Sequence, residues 1–113
     1  MVYLKEVARR TLTMLTITDI RNKLKPIFEK NGIKKAILFG SYATGVATES
    51  SDIDLWIDDE GHIRGLKFFG VRSEVEEMLN KKVDLIVERE IIPNSRLDTE
   101  IKKKGMTIYE RRN

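Results

Sequence analysis

One segment limits the folds open to this chain more than any other. From Asp52 to Asp58, Ile53, Leu55 and Ile57 alternate with Asp52, Asp54, Trp56 and Asp58. A period of two marks a strand with one face in a core and the other at or near water. Such a strand needs neighbours in a sheet and an apolar layer over its aliphatic face. Its other face carries carboxylates. Asp52 and Asp54 project to the same side, with Cα atoms about 6.7 Å apart.

The remaining pattern supplies those partners. Thr18 or Asp19 is expected to cap a helix running to about residue 31, with Ile20, Leu24, Ile27 and Phe28 on one face. Pro26 should kink it, and Asn31-Gly32 should end it. Residues 34–39 read as a short strand entering Gly40-Ser41, where a short helix opens and runs to about Gly45. Phe68, Val71, Val75, Met78 and Leu79 predict a helix over 66–80. Residues 83–87 form a third strand, Leu97 and Ile101 mark a helix between Pro93 and Gly105, and 106–109 add a short last strand.

No repeat, linker or low-complexity tract interrupts this order. It predicts a single α/β (α+β) domain over residues 1–113, a small mixed sheet packed with helices. Its core spans about 18–109, leaving 1–17 as an N-terminal extension. The first 16 residues fit least well, either as an extra helix or with Met14 as the start.

Composition closes off several classes. Hydrophobic residues make up 41% of the 113, enough for one core and too many for a disordered tail. The absence of cysteine excludes disulfides, thiolate metal sites and a cysteine nucleophile. No stretch approaches the roughly 20 apolar residues of a membrane span. Lys5, Glu6, Arg9 and Arg10 break up the N-terminal apolar run, so a secretory signal is not expected and the reading is cytoplasmic.

The formal charge of +3 conceals an uneven distribution. Residues 1–33 carry seven basic and three acidic groups, 34–60 two and six, and 61–113 twelve and nine. An acidic segment inside a basic chain suits a cation site better than a nucleic-acid groove.

Asp52 and Asp54 stand where they could share hard cations, and magnesium commonly takes one or two carboxylates plus water and substrate phosphate. Asp84 is a third candidate. An unpaired charge in its apolar strand would be expensive to bury, so a metal, a strand-end position or pairing with Lys81 or Lys82 must account for it. Gly40-Ser41 offers close backbone approach, a hydroxyl and helix N-terminal N–H groups to a phosphate. Taken singly, Gly-Ser is usually a turn and Asp-x-Asp a solvated strand face. Together they compose a phosphate cradle facing a carboxylate cation site, the equipment of phosphoryl or nucleotidyl transfer. The other polar residues read more simply. His62 is a loop residue, Asp58 and Asp59 solvate a strand end, and Trp56 packs, with base stacking as its lesser alternative. Lys102, Lys103, Lys104, Arg111 and Arg112 are solvated charge or contacts to a partner or RNA.

Gly40-Ser41, ten intervening residues and Asp52-Ile53-Asp54 resemble the signature of the DNA polymerase beta-like nucleotidyltransferase superfamily. The run FGSYATGVATESSDIDLWID is most similar to its minimal nucleotidyltransferase (MNT) branch. KKVDLIV resembles that branch's third-carboxylate strand, and LKPIFEKNGIKKAILFGS its lead-in. The resemblance covers about residues 18–109. Thr44 stands where members often carry Arg, and Val46 near where they carry an acidic residue.

The resemblance implies that Gly40 and Ser41 hold nucleotide phosphates. It implies that Asp52, Asp54 and Asp84 ligate two Mg²⁺ ions, with Asp84 helping to activate an acceptor hydroxyl. MNT proteins include antitoxins paired with HEPN-domain toxins, which are ribonucleases. Characterised members transfer AMP from ATP to a tyrosine of the toxin. The expected function is thus a protein adenylyltransferase antitoxin with a HEPN partner and ATP as substrate. The alternative is a non-catalytic module that silences a HEPN ribonuclease by occlusion. Transfer to a small molecule, as in relatives of kanamycin nucleotidyltransferase, would need a substrate-binding domain from another chain. DNA polymerisation has no room for gripping domains.

Overall fold

A computed structural model describes residues 14–112. The expectations for an extra N-terminal helix therefore lie mostly outside the described residues. Met14, Leu15 and Ile17 pack, partly buried, against the core.

The first helix, α1 (Ile17–Lys30), begins two residues earlier than a Thr18 cap implies and three earlier than an Asp19 cap, because its cap is Thr16. The Thr16 hydroxyl accepts from the Asp19 N–H, and the Asp19 carboxylate accepts from the Thr16 N–H, both at 3.0 Å. This reciprocal box satisfies two otherwise orphaned donors, which neither Thr18 nor Asp19 would do alone. Pro26 does not divide the helix. Its ring is exposed, and buried Ile20, Leu24, Ile27 and Phe28 anchor the turns on both sides.

The chain continues through β1 (Lys35–Phe39), the single-turn α2 (Ser41–Thr44), β2 (Ile53–Asp58), α3 (Leu66–Leu79) and β3 (Val83–Val87). A 3₁₀ turn (Glu88–Glu90), α4 (Arg96–Lys104) and β4 (Met106–Glu110) complete it. Among the described residues the strands form one mixed sheet in the order β3-β2-β1-β4. β1 runs antiparallel to β2 and β4, and β2 parallel to β3. α3 lies within the crossover that a parallel pair requires.

The sheet has two unlike faces. Ala36, Leu38, Ile53, Leu55, Ile57, Val83, Leu85 and Val87 are buried in one cluster with the apolar residues of α1 and α3. Within α3, Val71, Val75 and Leu79 recur every fourth residue and are buried, whereas Met78 is 44% exposed, contrary to the periodicity reading. One residue is about 100° on a helix, which swings Met78 out of the stripe that Leu79 completes. Lys30 and Glu74 tie α1 to α3 by an ion pair.

The opposite face carries Lys35, Ile37, Asp54, Trp56, Asp84 and Ile86, and α4 covers only part of it. Where α4 ends, a Cβ on Gly105 would lie 2.5 Å from Ile37 Cγ2 and 2.4 Å from the Ile101 carbonyl oxygen. The helix therefore sits close above β1 because residue 105 has no side chain.

Asp59, expected at a solvated strand end, is instead buried, with 2% exposure. Its carboxylate accepts from Arg89 Nη1 at 2.9 Å and from the Ile63 N–H at 2.8 Å. Burial opposes its ionisation, but these donors, with the Gly61 N–H, hold the carboxyl below its usual range. Arg89 also donates to the Ile63 carbonyl at 2.6 Å. The pair joins the segment leaving β2 to the segment leaving β3. No helix among the described residues is long and apolar enough to cross a membrane.

Candidate active site

The carboxylates meet where β1, β2 and β3 lie side by side. In the parallel pair Asp54 stands opposite Asp84, and in the antiparallel pair Asp54 stands opposite Phe39, the last residue of β1. Neighbouring strands lie about 4.8 Å apart. Asp52 immediately precedes β2 and is exposed, as is Asp84; Asp54 is half-buried. Asp84 does lie in an otherwise apolar strand, but its carboxylate is exposed, so no burial of its charge has to be offset. β3 buries Val83, Leu85 and Val87 and leaves Asp84 on the open face. Neither Lys81 nor Lys82 is ion-paired with it. Lys81 Nζ instead donates to the Glu49 carbonyl at 2.5 Å.

Gly40 follows β1 directly, with φ of +71°, a conformation that favours glycine. A Cβ there would lie 2.2 Å from Asp54 Oδ2. The missing side chain thus makes room for the carboxylate itself. Close approach of a phosphate is one reason for a glycine here, and the packing of Asp54 is a second. Ser41 opens α2 beside it, and its hydroxyl has no hydrogen-bond partner among the described residues.

Electrostatically, Asp54 is the focus. Its partial burial, then the charges of Asp84, Asp52 and Glu100, push its carboxyl up to about 6. Glu100, on α4, was not singled out from the sequence. It lies 46 positions after Asp54 in an ordinary charged helix, and only the docking of α4 over the sheet brings its charge to bear.

Among the described residues no three carboxylates close around one point as a ready-made cage. The donor set nonetheless fits a hard divalent ion that keeps water and phosphate in its coordination shell. It is all oxygen and crowded with like charge that a cation would relieve, and its outer members are open to solvent. Asp52, Asp54 and Asp84 are brought to one face beside Gly40-Ser41. His62 is exposed in the loop after β2, as expected.

The family model for polymerase beta, nucleotidyltransferase, matches residues 22–113. The chain belongs to this nucleotidyltransferase family. A Methanocaldococcus jannaschii protein named "Putative protein adenylyltransferase MJ0435" is 37% identical over 79 residues, 70% of this chain and 85% of its own length. "Protein adenylyltransferase MntA" of Thermococcus cleftensis is 35% identical over 81 residues, 68% and 82% of the two chains. A chain of the complex of tri-AMPylated Shewanella oneidensis HEPN toxin with MNT antitoxin superposes with a TM-score of 0.66 at 18% identity. That match covers 85% of this chain and 74% of the other, and it bears on the fold alone.

Proposed function

We propose that this nucleotidyltransferase is a protein adenylyltransferase antitoxin that moves AMP from ATP to a tyrosine of a HEPN toxin. The observation that carries the reading is Asp54, flanked by Asp52 and Asp84 and seated against the bare Cα of Gly40. Relatives named protein adenylyltransferases support the transferred group, and the HEPN partner is carried over from the MNT–HEPN complex whose chain shares this fold.

Asp52, Asp54 and Asp84 would hold two Mg²⁺ ions, which when bound supply charge neutralisation at the phosphates and acidification of the acceptor hydroxyl. Gly40 and Ser41 orient the nucleotide's phosphates through backbone N–H groups and the free hydroxyl. The tyrosine oxygen bonds to the α-phosphorus as the bond to the pyrophosphate oxygen breaks in line. Asp84, exposed on β3, would receive the phenolic proton. Positioning and charge compensation supply most of the rate.

Transfer of labelled AMP from ATP to the purified toxin tests this. Asp52→Asn should abolish labelling while preserving the circular dichroism spectrum. Silencing of the toxin without ATP, and undiminished in Asp52→Asn, would replace transfer with occlusion.

A further inference from the structure

Two residues beyond Asp54, the same face of β2 carries Trp56, the chain's single tryptophan. Phe39 lies opposite Asp54, and Ile37 opposite Trp56. The Ile37–Trp56 pair is therefore the next same-face pair along the sheet after the one beside Gly40-Ser41. It borders a cleft of about 330 Å³ whose other apolar walls are Ile91, Pro93 and Ile101, with charged groups from Lys35, Glu88 and the Asp98–Lys102 ion pair also lining it. Apolar walls with a few polar groups are the make-up of a small-molecule site, and this volume lies at the small end of such sites, about 300 Å³. It suits a flat ring system rather than a peptide.

From this juxtaposition we infer that the Trp56 cleft is the base subsite of the nucleotide donor, with the heteroaromatic ring stacked on the indole. The inference rests on the proposed nucleotide site. Phosphates held at Gly40-Ser41, beside the cation site of Asp54, leave the ribose to span one same-face step of β2, which delivers the base over Trp56. The acceptor then has the other side of Asp54, where Asp84 stands on β3. Trp56 is half-buried, so one part of the indole is fixed by packing and another is accessible to a ligand. Every base has a π-face, so stacking supplies affinity without itself choosing adenine.

The single tryptophan makes the test direct. ATP and inorganic tripolyphosphate, each with Mg²⁺, are titrated into the full chain by calorimetry and by indole fluorescence. ATP should quench the emission, and tripolyphosphate should bind more weakly and leave it unchanged. Trp56→Ala should weaken ATP binding about tenfold or more while leaving tripolyphosphate binding as it was. Trp56→Phe, which keeps a stacking ring and the packing, should retain most of the ATP affinity. Equal affinity for the two ligands, with silent fluorescence, would overturn the base subsite and leave the phosphate and metal reading standing. Failure of both ligands to bind would remove the nucleotide site and this inference with it. If Trp56→Ala fails to fold, wild-type fluorescence and the Phe variant decide the matter.

Discussion

Asp54 and Asp59 lie five residues apart and respond to acid in opposite senses. The Asp54 carboxyl stands well above its ordinary 3.8, at about 6, because burial and three neighbouring carboxylates penalise its charge. The folded state therefore binds its proton more tightly than the unfolded chain. That contribution to stability is complete below the ordinary value and is lost as pH rises through about 6. In metal-free buffer at pH 7.5, Asp54→Asn should raise the Tm by several degrees. That is on the order of 1 kcal/mol once solvent screening of a half-exposed group is allowed for. The gap should close by pH 4, as calorimetry across that range would show. Asp59 is held below its usual range, so its contribution persists at neutral pH and is lost only as pH falls through its lowered value. Asp59→Ala strands the Arg89 guanidinium and should cost about 2–4 kcal/mol in urea unfolding at pH 7.

At the scale of elements, two positions set how a helix meets its surroundings. Gly105 lets the end of α4 sit against Ile37. Gly105→Ala should lift the helix from β1 and cost about 1–3 kcal/mol, measured by thermal unfolding. Pro26, exposed within α1, deprives the helix of one backbone hydrogen bond. Pro26→Ala should stabilise the protein, by up to about 3 kcal/mol in the same assay. The elements themselves were largely legible because burial pattern and period coincide. Ile53, Leu55 and Ile57 are all buried, as their alternation requires. Thr16 is not distinguishable as the cap by composition, because Thr18 satisfies the same rule. Only the bond to Asp19 separates them.

Across the whole molecule, legibility follows sequence distance. Asp52 and Asp54 could be read as neighbours because a strand places them together whatever surrounds it. That Asp84 stands beside Asp54, that Glu100 adds its charge, and that Asp54 needs Gly40 bare all depend on register and docking. No local pattern encodes those. The same holds for Asp59, whose partner lies 30 residues on. The assembled site should register as a linked equilibrium. Saturating ATP with Mg²⁺ should raise the Tm, with about 2.7 kcal/mol of stabilisation at a hundredfold excess over Kd. Chelation of the metal, or the double variant Asp52→Asn, Asp54→Asn, should abolish the shift in a thermal melt.

The Asp59–Arg89 pair sits beyond the far ends of the two strands that bring Asp54 and Asp84 together. A parallel pair that slips by one residue turns every side chain to the wrong face. Losing the clasp would thus misalign two carboxylates it never touches. In a screen scored only by activity, substitutions at Asp59 or Arg89 would pass for catalytic lesions. What they would have damaged is the alignment on which the chemistry depends.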